Sequence, residues 1–347
     1  MNTQLKDNLV CPRDKSRLVE LGNQLCCEFN HSYPVIDGIP VLLVNEVPQT
    51  LWVGSASLDQ SRITSCVDPY RIATLGISDE EEAELNQRIL IPMDSIDPVV
   101  SFLVAATNGL AYRHLVGKLR GYPIPDLRLP EGNGEVLLDI GCSWGRWSLA
   151  AAQKGYSVIG LDPSLGAVLA ARRVAYSLGL STSFIVADAR FLPFRAGFAD
   201  IAFSYSVLQH FSRSDAERAI AEIGRTLRPR GRALVQMPTV LGVRCLYHQA
   251  RRGFRQPRAF DVRYWTIPAL RRLFTQRIGD TSIKVDCYFG IGLQLSDRHV
   301  MPFTRRLAIN SSELLRRAAQ KIPYLSYLAD SVYVESIRTT APAATCS

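Results

Sequence analysis

The chain predicts a doubly wound α/β protein with a small N-terminal β ribbon and a helical C-terminal insertion. Three observations predict it. Between residues 134 and 238, short apolar runs alternate with capped helical stretches. The runs Val136–Ile140, Ser157–Leu161, Ser183–Ala187, Ala199–Ser204 and Arg232–Met237 are nearly continuously hydrophobic. Parallel strands covered on both faces need that pattern. Finally, Glu135–Pro163 reads as strand, glycine turn, helix, second strand and acid, with Asp162 standing 23 residues after Asp139.

The helices between these strands are marked at their ends. Ser164 precedes LGAVLAARRVAYSL, and Gly179 closes that helix. Ser214-Asp-Ala-Glu217 forms a capping box, which predicts a helix terminated by Pro229 and Gly231. Four regions follow. Residues 1–45 form a ribbon with a run of Val, Ile and Leu (Val35–Val44) broken by Asp37-Gly38. Residues 46–133 hold an acidic helix over Asp79–Leu90, a second helix around Val99–Leu119, and a Pro/Gly linker. Residues 134–347 form the main domain, with its core at 134–238. Its last part, 239–347, adds Arg-rich helices and two strands, Ser282–Phe289 and Ser331–Ile337, flanking an insertion at about 290–330.

Composition bounds the function. The 347 residues, 47% hydrophobic and 21% charged, exclude a disordered or collagenous chain. A net charge of +8 favours polyanionic or phosphorylated partners. Eight dispersed cysteines in a chain of this size suggest a reducing interior. The N-terminus has no apolar signal core, and the longest apolar run, near Val99–Ala106, is far short of the roughly 20 residues a spanning helix needs. A cytoplasmic protein without a transmembrane segment is the expectation.

The glycine spacing separates cofactor classes. A dinucleotide site would show GxGxxG after the first strand, but here Asp139-Ile-Gly141-Cys-Ser-Trp-Gly145 gives DxGxxxG. A wider loop with a carboxylate at its entrance suits a cofactor that lacks a pyrophosphate and carries a cationic amino-acid end. Asp162, ending the second strand, can accept both ribose hydroxyls. Asp188, after the third strand, can accept from an adenine amino group, with Ala189 supplying a backbone donor.

These segments, with ADARFLPF, DIAFSYSVLQHF and LRPRGRALVQMP, resemble class I S-adenosylmethionine-dependent methyltransferases over about residues 134–238. The resemblance implies a Rossmann-like sheet and S-adenosylmethionine as cofactor. It implies Asp139, Gly141 and Gly145 around the methionine moiety, Asp162 on the ribose, and Asp188 and Ala189 at the adenine. Cys142, Pro163 and Ser204 join the same wall. The stretch Ser204–His210 falls beside the transferred methyl, where His210 either orients or deprotonates an acceptor or merely packs. Tyr205 divides in the same way between lining the pocket and filling core.

The N-terminal segment, Cys11-Pro-Arg-Asp14 followed by Cys26-Cys27-Glu-Phe-Asn-His31 and YPVIDGIPVLL, resembles a Trm112-like zinc ribbon. It departs from the usual paired CxxC knuckles, since Asp14 stands in for the second cysteine and Phe29 occupies the fourth slot. Two readings stay open. Cys11, Asp14, Cys27 and His31 make a four-ligand zinc site, or the metal has been lost and the apolar tail holds the ribbon.

Residues 241–280 carry nine arginines against Asp261 and Asp280. Such a run is a solvated face, a rim for phosphates, or a contact for a membrane surface. In Ser312–Lys321, Leu314, Leu315, Ala318 and Ala319 fall on one side and Arg316, Arg317 and Lys321 elsewhere, a short basic amphipathic helix. It caps the active site, packs on the sheet, or contacts anionic lipid. The leading function is methyl transfer to a small-molecule, lipid-linked or saccharide acceptor. The alternatives are RNA methylation, against which no NPPY-type tetrad follows the fourth strand, and a catalytically silent partner-binding role.

Overall fold

The computed structural model describes residues 3–49, 52–63, 68–90, 96–108, 111–258, 260–290 and 292–339. Their strands are β1 (Val19–Leu21), β2 (Gln24–Cys26), β3 (Ser32–Ile36), β4 (Ile39–Leu42), β5 (Val136–Ile140), β6 (Ser157–Asp162), β7 (Thr182–Ala187), β8 (Ala199–Ser204), β9 (Leu227–Pro238), β10 (Gly279–Cys287) and β11 (Ser331–Arg338). Hydrogen bonding orders them β1-β2-β3-β4-β7-β6-β5-β8-β9-β11-β10. The fold is a Rossmann-like doubly wound sheet. Strands β4 through β9 run parallel, and β11 inserts antiparallel between β9 and β10. The order reverses at β5, so a crevice opens at the carboxyl ends of the central strands.

The helices are α1 (Thr3–Lys6), α2 (Trp52–Ser61), α3 (Asp79–Leu90), α4 (Pro98–Asn108), α5 (Arg146–Gln153), α6 (Leu165–Ser177), α7 (Arg213–Thr226), α8 (Val243–Arg251), α9 (Ile267–Arg277) and α10 (Phe303–Ala319). Ser164 caps α6 as its sequence requires, its Oγ accepting from the Ala167 amide at 3.2 Å. Gly179, at φ 66°, turns the chain just past that helix.

Four expectations are corrected. Ser212, not Ser214, caps α7: its Oγ accepts from the Asp215 amide at 3.1 Å. Pro229 and Gly231 do not end that helix. They lie within β9, whose register against β8 jumps from Ala199↔Leu227 to Ile201↔Arg232, so Arg228–Gly231 bulge out of the ladder. The helix expected around Val99–Leu119 is not one continuous helix: an α-helix covers Pro98–Asn108 and a 3₁₀ turn covers Arg113–Leu115. The basic helix begins earlier, at Phe303, and Leu314 does not share a side with Leu315 and Ala319. Ala319 is buried and Leu315 packs on the core, whereas Leu314 is 70% exposed.

The ribbon is continuous with the sheet. Asp37 (φ 49°) and Gly38 (φ 78°) make the tight β3–β4 turn, a left-handed pair favoured by Asp-Gly. Strand β4 then pairs in parallel with β7 through Val41↔Val186 and Leu42↔Ala187. Leu9, Leu25 and Tyr33 of the ribbon are buried in one cluster with Ile185, Phe194 and Ile223 of the central unit.

Candidate functional site

A cavity of about 440 Å³ lies at the carboxyl ends of β5 to β8. Its floor is the turn after β5. Gly141 holds φ 80°, and an added Cβ would stand 2.2 Å from Val207 Cγ2, so only glycine fits there. Asp162 ends β6 at the wall. Its Oδ2 accepts from the Ser143 amide at 2.9 Å and its Oδ1 from the Ser164 amide at 3.0 Å. These two donors fix the carboxylate's plane. Burial pushes its carboxyl up to about 6, against the two amide bonds that favour the charged form. Cys142, Pro163 and Ala189 also line the cavity.

Asp188 lines it on the β7 side, with its carboxylate already engaged. Arg190 donates to it from its amide (2.8 Å), Nε (3.0 Å) and Nη2 (2.6 Å). The same guanidinium reaches Asp215 at 3.2 Å and the Pro48 carbonyl at 2.9 Å. Arg190 thereby ties Asp188 to the segment after the ribbon.

Asp139, Gly145 and Ser204 stand outside the lining. Asp139 is 1% exposed, accepts from Ser148 Oγ at 2.6 Å, and is pushed up to about 7 by burial. It braces the loop from behind. Gly145 (φ 85°) starts α5, and Ser204 Oγ donates to the Ile140 carbonyl at 2.9 Å.

The two catalytic candidates separate. The ring of Tyr205 forms wall against Trp147, with centroids 4.7 Å apart. Its hydroxyl turns away and donates to Asp286 Oδ2 at 3.0 Å. Burial first, then the Asp286 charge, raises its ionisation well above the ordinary range. The Tyr205 ring thus lines the cavity while its hydroxyl is engaged by Asp286. His210 reaches the cavity, stacked on Phe260 with centroids 3.6 Å apart. The Phe260 carbonyl, 2.8 Å from Nδ1, requires a proton on that nitrogen. Nε2 is left as acceptor, 3.1 Å from Gln209 Nε2. Burial lowers the imidazole to about 4, so the ring is neutral near pH 7.

Several lining residues escaped the sequence reading. Gln49, Trp52 and Val53 come from the segment after the ribbon, and Leu103 comes from α4. Arg146 is 1% exposed at the cavity edge. It donates to Asp297 Oδ1 at 2.8 Å, Tyr112 Oη at 3.0 Å and the Pro123 carbonyl at 2.9 Å. The Gly-Arg-Trp after the turn was visible, but nothing local names a partner 151 residues away.

In the ribbon, donor atoms of Cys11, Asp14, Cys27 and His31 all lie within 4.8 Å of one another. Sγ of Cys11 is 3.3 Å from Asp14 Oδ2 and 3.5 Å from His31 Nδ1. Sγ of Cys27 is 3.6 Å and 3.4 Å from the same two atoms. Tetrahedral zinc, with bonds of about 2.3 Å to sulfur and 2.0–2.1 Å to nitrogen or oxygen, sets donor edges of roughly 3.3–3.8 Å. The sulfur edges match. Asp14 and His31 are closer, at 2.8 Å, and hydrogen-bond as they stand. Phe29 is 62% exposed and stands apart from the cluster.

A cavity bearing Asp162 and Asp188 lies at the switch point of the doubly wound sheet, the place where such folds bind ligands. A model of the methyltransferase domain matches residues 137–231. The tRNA (carboxymethyluridine(34)-5-O)-methyltransferases ALKBH8 of Macaca fascicularis and Mus musculus are 28% and 32% identical over 159 and 176 residues, covering 46% and 50% of this chain. The chain spans only 21% and 24% of those relatives' length. A UPF0434 protein of Psychromonas ingrahamii is 46% identical over 46 residues, 12% of this chain and 78% of that protein. A solved S-adenosylmethionine-dependent methyltransferase of Methanosarcina mazei superposes with TM-score 0.42 at 20% identity, covering 60% of this chain and 95% of the other. Residues 137–231 thus carry a methyltransferase domain of the S-adenosylmethionine-dependent kind, and the N-terminal ribbon belongs to the UPF0434 family. No helix among the described residues is long and apolar enough to cross a membrane.

Proposed function

We propose that the crevice holds S-adenosylmethionine with its ribose on Asp162, its adenine beside Asp188 and Ala189, and its methionine end over the Gly141–Ser143 turn. The observation that carries this reading is the Asp162 carboxylate, fixed by two backbone amides in the cavity lining. The bound donor supplies an electrophilic methyl. The chain's own contribution is alignment and exclusion of water, which suffices for much of an in-line displacement. Trp147 and the Tyr205 ring wall off one side. His210 Nε2, the acceptor nitrogen of the ring, can orient or take a proton from a hydroxyl or amine once that group displaces the Gln209 amide from it.

The acceptor we favour is a small molecule or the end of a lipid-linked chain. Phe260, stacked on His210 and half exposed, puts apolar surface beside the cavity, which suits an acceptor with an apolar part. A second reading, RNA methylation, draws support from the tRNA-methylating relatives and the net charge of +8. Methyl-labelled S-adenosylmethionine offered with separate lipid, aqueous small-molecule and tRNA fractions distinguishes them. Label entering the lipid or small-molecule fraction is expected; label entering tRNA alone would replace the first reading with the second.

We also infer that Cys11, Asp14, Cys27 and His31 hold a structural zinc that closes the ribbon. All four positions come from protein, so the metal would have no open site for chemistry. Elemental analysis should find one zinc per chain, and chelation should lower the melting temperature. Metal-free protein with an unchanged melt would contradict this.

A further inference from the structure

We infer that the C-terminal third docks on an anionic lipid bilayer, at the same end of the sheet as the methyl-donor crevice. The methyl-transfer reading gives this docking its purpose, but the binding surface stands on its own observations.

The first observation is charge. Residues 241–330 contain sixteen Lys and Arg against six Asp and Glu, a net of +10. The remainder of the chain, with 24 against 26, is slightly acidic. The whole positive charge of the protein therefore resides in this one stretch.

The second is apolar exposure. Of 22 exposed large hydrophobic side chains among the described residues, fourteen lie between Leu241 and Leu328. Two helices organise many of them. On α10, Phe303, Leu307 and Leu314 are 72%, 51% and 70% exposed. At about 100° per residue they fall within about 40° of one another. They sit opposite the side where Ile309, Ser312 and Ala319 are buried. Arg306 and Arg317 border that outward stripe, both exposed. On α8, Cys245 is the buried residue, while Val243, Leu246 and Tyr247 project outward at 60%, 38% and 54% exposure. Arg244 and Arg251 flank them. A water-facing helix should carry its polar residues outside. Both of these carry an apolar stripe rimmed with arginine, the composition of a helix lying in a lipid interface.

The third is position. Strands β9 and β10 both pair antiparallel with β11, so they run in the same direction and end at the crevice side of the sheet. The turn after β10 touches both helices. The Tyr288 amide donates to Ser312 Oγ of α10 at 2.9 Å, and a Cβ at Gly290 would lie 2.9 Å from Arg244 Cβ of α8. Asp330 Oδ1 accepts from the Arg244 and Cys245 amides at 2.7 and 3.0 Å, fixing the start of α8. Just beyond α8, exposed Phe254 and Phe260 continue the apolar surface to His210 at the mouth.

Arginine and aromatic side chains alone would also fit RNA. Exposed aliphatic residues have no base to stack on, so Val243, Leu246, Leu307 and Leu314 favour acyl chains. Each arginine near an anionic surface is worth roughly a fivefold gain in partitioning.

Sedimentation of the full chain with vesicles tests this. Phosphatidylcholine vesicles containing phosphatidylglycerol should bring the protein down, and pure phosphatidylcholine much less. Leu307→Asp with Leu314→Asp, and separately Arg244→Glu with Arg251→Glu, should each cut partitioning at least about tenfold. Both substituted pairs are solvent-facing, so S-adenosylmethionine binding should stay at the parent level and report an intact fold. Phe303→Trp should shift its emission to the blue on anionic vesicles. Equal sedimentation of parent and variants, no binding to anionic vesicles, or arginine-dependent binding to tRNA without vesicle binding would each overturn the inference. Loss of S-adenosylmethionine binding in the parent protein would defeat the crevice assignment instead, leaving the vesicle result to stand or fall alone.

Discussion

The central sheet unit, 134–238, and residues 241–330 handle their surfaces in opposite ways. The first leaves only Tyr176 and Leu178 as exposed large hydrophobics and turns its functional carboxylates inward around a cavity. The second exposes fourteen large hydrophobics and carries a net charge of +10. One region encloses a cavity; the other leaves apolar and cationic surface outside. On the proposed reading the methyl donor is specified by local turns and strand ends, whereas the acceptor side depends on surfaces and on pairs far apart in sequence.

The link between the two regions is where the contrast can be broken with the largest effect. Arg146 of the sheet unit and Asp297 of the insertion are both buried, with side chains 2% and 1% exposed. Removing one partner strands a buried charge. Arg146→Met should cost about 3–5 kcal/mol in denaturant unfolding, and Arg146→Met with Asp297→Leu should recover most of that loss. A double variant no better than the single one would mean that Tyr112 and Pro123, not the ion pair, hold the junction. The vesicle variants sharpen the same contrast at a smaller scale, since they should leave the crevice untouched.

Sequence made the sheet unit readable because its information is local. Strand hydrophobicity, the Ser164 cap and the DxGxxxG spacing each span a few residues, and the five strands appear within a few residues of their expected ends, except β9. β9 starts at Leu227 because its bulge absorbs Pro229 and Gly231, which read as helix stops in one dimension. The Cys11–His31 cluster was readable for the same reason, since knuckle spacing brings its donors together. The destination of the Tyr205 hydroxyl was not readable. Its partner Asp286 lies 81 residues on, in a strand that reaches it only through the sheet order. The sequence groups Leu314 with Leu315, Ala318 and Ala319, because helical periodicity names a face and not its neighbour. The packed side belongs to Ile309, Ser312 and Ala319.

The pH behaviour of the crevice has a definite sign. Burial raises Asp162 and Asp139 above the ordinary 3.8, to about 6 and about 7. Their contribution to the stability of the free protein is fully present below pH 3.8 and is lost as pH rises through those values. On the proposed placement cofactor binding runs the other way, because ribose hydroxyls would donate to an ionised Asp162.

Calorimetric affinity for S-adenosylmethionine across pH 5 to 8, in the parent, Asp162→Ala and Asp139→Asn, tests the placement of the cofactor directly. The parent should bind in the micromolar range, about −8 kcal/mol, and weaken as pH falls through about 6. Asp162→Ala should lose roughly a hundredfold, from two charge-assisted hydrogen bonds, and show no such pH step. Asp139→Asn, altered behind the wall, should stay within a fewfold of the parent at pH 8. Unchanged affinity in Asp162→Ala, or a larger loss in Asp139→Asn, would contradict it.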